Sequence, residues 1–263
     1  MRLLVRKGVS TRYRNSALGW GWSYVKPLTQ YAIYFFIMGT ILGRGRGGIE
    51  NFALYLLAGI VVVNLFNEAF TNATKSIVDN KALVKKIYLP RELFPVAAVI
   101  VAFIHFLPQA AVLTIVAALM GWVPTALELA AILLGTLIVV LFATGLGMIF
   151  GAVNVSFRDA ENFVEIIRML ATWFSPVLYS YVLIVDKLDQ VGHWLGTLYM
   201  LNPLTSAVEL FHYGFWYGTT TDSRPTPPHL LVFSLVGLAA CFVLIIVGQV
   251  VFRRFERRFA QDV

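Results

Sequence analysis

Acidic side chains and cysteine are both scarce in this sequence, and each shortage excludes something. Its 263 residues include 14 Asp plus Glu and a single cysteine. Cys241 lies in the last apolar run, so it has no internal disulfide partner and reads as a small buried side chain. Charged residues make up only 13% of the chain, against about 25% in an ordinary soluble protein. Neither a serine set beside a histidine, nor clustered metal ligands, nor an acidic pair at a membrane boundary stands out, so no catalytic residue, metal site or cofactor of its own is expected. Residues 1–26 are basic and amphipathic, without the short apolar core and small-residue cleavage site of a signal peptide.

What the chain has in quantity is apolar length. It is 59% hydrophobic with a mean hydropathy of +0.76, which makes it a polytopic membrane protein. Six apolar runs, at residues 28–43, 52–70, 93–120, 126–152, 168–185 and 229–252, approach or exceed the roughly 20 residues needed to cross about 30 Å of hydrocarbon. Being continuous rather than alternating, they predict an all-α membrane protein with six transmembrane helices. We treat residues 1–263 as one transmembrane domain.

Charge sets the expected orientation. Arg2, Arg6, Lys7, Arg12, Arg14 and Lys26 precede the first run; Lys75, Lys81, Lys85, Lys86 and Arg91 lie between the second and third; Arg158 and Arg168 between the fourth and fifth; Arg253, Arg254, Arg257 and Arg258 follow the last. Seventeen cations thus fall on one side, and only Arg44, Arg46, Lys187 and Arg224 on the other. The positive-inside rule places both termini in the cytosol. Cations flanking membrane spans do not form the single basic face of a nucleic-acid binder, so membrane lipids, not nucleic acid, are the expected neighbours.

The polar segments are few. In residues 1–26, apolar Leu3, Leu4, Val5, Val9, Tyr13, Ala17, Leu18 and Trp22 recur among basic residues, predicting an amphipathic helix on the inner leaflet, either an anchor or a surface for anionic lipid heads. GRGRGG at 43–48 lacks the GK[ST] ending of a phosphate loop. Residues 71–92, TNATKSIVDNKALVKKIYLPRE, form a basic island between two spans. Residues 186–228 predict two short helices, through Leu188, Val191, Leu195 and Leu198 and through Leu204, Val208, Phe211 and Phe215, half-buried or re-entrant at the outer face and divided by Asn202 and Pro203.

Ionisable residues at membrane depth are costly and usually functional. Here they are few: Glu128 at the outer start of the fourth run, Glu68 towards the inner end of the second beside Asn64 and Asn67, and His105 near mid-span. His105 is either a proton relay or a structural partner of a backbone carbonyl freed by Pro108. Glu68 is placed to pair with a lysine of the island or with the amino-terminal helix. Bond chemistry is absent, so the energy for any driven transport comes from another chain. The competing readings are an ion-coupled or facilitative carrier, which would want internal repeats or more mid-span charge, and a membrane glycosyl or acyl transferase.

Four segments in order carry a family likeness: TRYRNSALGWGW at 11–22 with Pro27, NKALVKKIYLPRE at 80–92, Phe157-Arg158-Asp159, and NPLTSAVELFHYGFW at 202–216. Over nearly its whole length the chain resembles the membrane subunits of ABC exporters for polysaccharides, the Wzm and teichoic-acid permease family. The resemblance implies a homodimeric permease in the bacterial inner membrane, paired with two copies of a cytosolic subunit that binds ATP and Mg. It implies a polyprenyl-diphosphate-linked polysaccharide as substrate, whether O-antigen, teichoic acid or cell-wall galactan. Arginines outnumber lysines 14 to 7, which hints at a GC-rich genome.

In that family picture the island 71–92 holds a coupling helix, with Leu83, Val84 and Ile87 giving apolar contact to the ATPase and Lys81, Lys85 and Lys86 giving charge; Arg158 and Asp159 begin a second contact or a plain helix-entry salt bridge. Arg6, Lys7, Arg12 and Arg14 are the cations nearest an entering lipid diphosphate. Tyr31, Tyr34, Phe35, Phe36, Tyr55, Asn64, Asn67 and Glu68 are candidates for a pore that grips sugars by stacking and hydrogen bonds. Trp194, Tyr199, Asn202, Pro203 and Trp216, with Phe211, Tyr213, Phe215 and Tyr217, belong to an external gate or to an interfacial aromatic anchor.

Overall fold

The computed structural model describes residues 1–12, 19–37, 49–86, 89–221, 226–256 and 259. Among them there are helices and no strands. They run α1 (Arg2–Arg12), α2 (Trp22–Tyr34), α3 (Phe52–Asp79), α4 (Lys81–Lys86), α5 (Leu93–Leu119), α6 (Ala126–Ser156), α7 (Ala160–Trp173), α8 (Tyr181–Val191), α9 (His193–Leu201), α10 (Pro203–Phe211) and α11 (Leu230–Glu256). Four of these, α3, α5, α6 and α11, are long and apolar enough to cross a membrane. The chain is therefore a multi-pass helical membrane protein.

The first and fifth apolar runs do not appear among the described residues as single spans of that length. Part of run one, residues 38–43, lies outside the described residues. Run five is interrupted: α7 stops at Trp173, and helix resumes at Tyr181. Pro176 is the cause, because it brings no N–H to the ladder and forces the residue before it out of the helical region. Carbonyls within the break are answered from α3, where the Tyr55 hydroxyl lies 2.9 Å from the carbonyl oxygens of both Pro176 and Tyr179. Non-helical backbone at such a place persists because protein, not lipid, surrounds it.

α3 is the axis of the bundle, packed against α5 and α6 along its length and against α2, α7 and α10 on its remaining sides. Small residues let the helices meet. A Cβ on Gly147 of α6 would lie 2.4 Å from Ala73 Cβ of α3, and one on Gly248 of α11 would lie 2.9 Å from the Gly145 carbonyl oxygen. Close backbone approach of this kind is the usual substitute for a hydrophobic driving force between helices in lipid. Gly147→Val therefore forces α3 and α6 apart; the expected cost is about 1–3 kcal/mol, read as a lower melting temperature of the detergent-purified protein.

Glu128, one of the few acidic residues in an apolar run, caps α6. Its Oε2 accepts from Thr125 N at 2.8 Å while its own N–H reaches Thr125 Oγ1 at 3.3 Å, a reciprocal capping box. Cys241 is buried against the Ile138 carbonyl.

The segment 186–228 departs from the two helices expected. Gly192 ends α8, so the set Leu188 to Leu198 is divided between α8 and α9. Asn202 Oδ1 accepts from Leu204 N at 3.1 Å and Pro203 opens the next helix, as predicted for a boundary there. Yet α10 is not half-buried: every residue from Leu204 to Phe211 is enclosed, wedged between α3, α6 and α11.

Candidate functional site

A polar groove of about 790 Å³ runs beside α3. The α3 wall is Asn64, Asn67, Glu68, Thr71 and Asn72, residues spaced to form one helical face. α2 contributes Trp22, Pro27, Gln30 and Tyr34; α5 contributes Gln109; α7 contributes Glu165, Ile166, Arg168, Met169, Thr172 and Trp173. Thus a helix otherwise packed with aliphatic side chains carries a stripe of amides, and α7 faces it.

Hydrogen bonds tie the walls together. Asn67 Nδ2 donates to Thr172 Oγ1 at 3.3 Å, Thr172 Oγ1 donates to the Arg168 carbonyl at 3.0 Å, and Thr71 Oγ1 donates to the Asn67 carbonyl at 2.7 Å. Glu68 Oε1 lies 2.8 Å from His105 Nδ1 of α5. Glu68, expected to meet a lysine of the island or the amino-terminal helix, and His105, expected as a proton relay or as the partner of a carbonyl freed by Pro108, thus meet each other. One helical turn beyond His105, Gln109 donates from Nε2 to the His105 carbonyl at 3.4 Å. The pair bridges α3 and α5, fixing the carboxylate at the edge of the groove.

Of the expected pore residues, Tyr34, Asn64, Asn67 and Glu68 converge on this groove. Tyr31 packs beside it and stacks on Phe35 with centroids 5.9 Å apart, while Phe36 is exposed. Tyr55 is a correction: it is 3% exposed, stacked on His212 at 3.7 Å and committed to the break after α7. Sequence reasoning missed Gln30, Thr71, Asn72, Gln109, Glu165, Arg168, Thr172, Trp22 and Trp173 as a set. The polar stripe at 64, 67, 68, 71 and 72 was readable from spacing alone; which helices face it was not.

Beyond the groove, at the carboxyl-terminal end of α3, the island 71–92 divides. Residues 71–79 continue α3 without interruption, and only Lys81–Lys86 form a separate helix. Asn80 is the joint, its Oδ1 receiving Lys7 Nζ at 2.7 Å and its Nδ2 donating to the Ser76 carbonyl at 2.8 Å. Lys75 pairs with Glu161 Oε2 at 2.9 Å. Arg91 donates to the Glu256 carbonyl and lies over the Phe259 ring at 5.8 Å, while Glu92 accepts from Gln249 Nε2 at 2.8 Å. Lys81, Lys85 and Lys86 are exposed. Val84 is 6% exposed and Leu83 half-buried, both packed in a cluster with Ile77, Phe94 and Phe252. The apolar contact expected of Leu83 and Val84 is thus spent inside the protein, because a six-residue helix needs an anchor. Ile87 lies outside the described residues.

The lysine at Glu161 has a measurable consequence. The hydrogen bond from Lys75 holds the Glu161 carboxyl below its ordinary range against partial burial, helped by Asn154 and by the Lys75 and Arg158 charges. A carboxylate depressed in the folded state stabilises at pH values above its unfolded pKa, and that contribution is lost as pH falls through the folded one. The difference in melting temperature between wild type and Glu161→Gln should therefore be constant above about pH 6 and shrink below about pH 4.5, the ordinary carboxylate range being near 4.3. A difference that persists unchanged at pH 3.5 contradicts this role.

Other expected site residues are scattered. Arg158 and Asp159 are exposed at the start of α7, with no side-chain cap from Asp159. Lys7 is taken by Asn80, and Arg6 lies with Arg2 along a different groove between α1 and Ile100 and Ile104 of α5. The Arg12 side chain and Arg14 lie outside the described residues. In the external segment Trp194 is exposed and Tyr199 buried; Asn202 and Pro203 build the α10 cap; Trp216 donates from Nε1 to the Glu50 carbonyl at 2.7 Å.

Amides, aromatic faces and a bridged carboxylate beside a membrane-spanning axis offer hydrogen bonding and stacking along a path. That arrangement suits a transport component. The chain belongs to the ABC-2 type transporter family, whose model matches residues 1–216. It is 29% identical over 259 residues to the O-antigen export system permease protein RfbA of Klebsiella pneumoniae, covering 98% of this chain and 93% of that one. It is 24% identical to the O-antigen export system permease protein RfbA of Myxococcus xanthus, over 99% and 94% of the two chains. The capsule polysaccharide export inner-membrane protein CtrC of Neisseria meningitidis serogroup A is 22% identical, over 97% and 90%.

Proposed function

We propose that this protein is the permease subunit of an ATP-driven exporter in the bacterial inner membrane, moving a polyprenyl-diphosphate-linked polysaccharide from the cytosol outward. The observation that carries it is the amide stripe of α3 opening on the groove of about 790 Å³, in a chain similar over nearly its whole length to O-antigen and capsule export permeases. Sugars offer hydroxyls that both donate and accept, which suits Asn, Gln and Thr, and ring faces that suit Trp22, Tyr34 and Trp173.

In this reading the chain crosses six times with both termini cytosolic. Run one, residues 28–43, is the first crossing; α7, the stretch broken at Pro176 and α8 form the fifth. α9 and α10 belong to the outer gate. Two copies face each other, so that the groove beside α2 and α7 is completed by the partner copy. Two ATP-binding subunits, which bind ATP and Mg, seat against α4, its three exposed lysines meeting acidic or polar groups there.

Depletion of the protein in its native bacterium tests this. Surface polysaccharide should fall while the lipid-linked polymer accumulates on the cytosolic side, detectable by lipid extraction. Normal surface polymer after depletion would sink the proposal.

A further inference from the structure

Among the described residues lining the groove, Arg168 is the one cation. Its Nε is buried with no hydrogen-bond partner, and among the described residues no carboxylate lies within ion-pairing distance of it. The two acids of the groove do not neutralise it. Glu68 is held by His105 on the opposite wall, and Glu165, one turn earlier on α7, is exposed to solvent.

Position adds to this. Arg168 stands eight residues beyond Ala160, about 12 Å along α7, and Thr71 stands eight residues before Asp79, about 12 Å back along α3. Both residues line the groove, so Arg168 shares it with the last residues of the amide stripe, and in the proposed orientation a substrate entering from the cytosolic leaflet arrives there first. A guanidinium with a buried, unpartnered Nε is costly and is retained where something anionic meets it. Of the other cations expected to receive an anionic lipid head, the two whose side chains are described lie elsewhere: Lys7 bonds to Asn80 and Arg6 lines the α1 and α5 groove.

We propose that Arg168 anchors the phosphoryl oxygens of the lipid carrier's diphosphate, while the attached sugar extends along Asn67, Asn64 and Tyr34. This rests on the reading of the groove as the path of a lipid-linked glycan. A planar guanidinium meets a phosphate through two parallel N–H donors, which an ammonium cannot reproduce. Ile166, Met169 and Trp173, exposed at the rim, give the isoprenoid an apolar exit to the bilayer. Arg168 thereby selects for a charged head and leaves recognition of the sugar to the amides.

The test uses the permease with its ATPase in nanodiscs of neutral lipid, so that anionic phospholipid does not compete. The probes are geranylgeranyl diphosphate, the uncharged alcohol geranylgeraniol and a neutral oligosaccharide of the exported polymer. Wild type should bind the diphosphate at least tenfold more tightly than the alcohol. Arg168→Gln should lose at least tenfold for the diphosphate and nothing for the alcohol or the oligosaccharide, and Arg168→Lys should fall between. Should the variants not assemble, a photoreactive prenyl diphosphate on wild type should label the α7 peptide.

Unchanged diphosphate affinity in Arg168→Gln, or labelling of α1 in place of α7, overturns the anchor. Loss of oligosaccharide binding by every form, wild type included, would instead count against the groove as a glycan path.

Discussion

Lys85→Glu combined with Lys86→Glu is expected to reduce export at least tenfold and to release the ATPase during purification, while the permease itself remains folded. The island's five cations divide by what they touch. Lys75 is fixed by Glu161 and Arg91 by Glu256 and Phe259, whereas Lys81, Lys85 and Lys86 point outward from a helix anchored through Val84. A single exposed ion pair is worth only about 0.2–1 kcal/mol, but reversing two charges turns attraction into like-charge juxtaposition, which costs several kcal/mol at an interface. A tenfold loss requires about 1.4 kcal/mol, so the double reversal exceeds it. Lys75→Gln is the control: it removes a structural pair, so melting temperature should drop while the ATPase still copurifies. Wild-type copurification and export by the Lys85→Glu, Lys86→Glu protein would remove α4 from coupling.

Glu68→Leu is expected to abolish most export, and its effect can be separated from mere destabilisation. His105 is 1% exposed and its Nδ1 faces Glu68 Oε1 at 2.8 Å, so removing the carboxylate strands a buried polar group at a cost of about 1–3 kcal/mol. Replacing both partners by apolar residues, Glu68→Leu with His105→Phe, should recover much of that stability, because a buried pair often gives way to well-packed apolar groups with little loss. Export should not recover, since the groove has lost an acceptor for sugar hydroxyls. Glu68→Gln should fall between, retaining an acceptor but not the charge. If the double variant exports as wild type does, the pair is only a brace between α3 and α5.

Much of this was legible beforehand. Continuous apolar runs force helix, because lipid offers no partner for unpaired backbone groups, and α3, α5, α6 and α11 fall where those runs lie. Asn202 and Pro203 marked the start of α10 through cap chemistry that depends only on neighbours in sequence. Asn64, Asn67 and Glu68 stood out as polar residues in an apolar helix, and they do line the groove.

Other features needed the third dimension. Run five read as one span because hydropathy averages over Pro176, and only Tyr55, more than a hundred residues earlier in sequence, shows how the break is satisfied. Leu83 and Val84 looked available to a partner until the cluster around Phe94 and Phe252 claimed them. Glu68 and His105 lie 37 residues apart, and no spacing rule pairs groups on different helices.

The sequence by itself determined that the chain is helical and lies in a membrane, since these follow from composition and from short-range backbone constraints. Only the tertiary structure decided which cations are spent inside the fold and which face outward, and that an amide stripe, an arginine and three aromatic rings share one groove. The reason is physical: burial and pairing are properties of the surface a neighbouring helix presents, and that surface is assembled from residues remote in the chain.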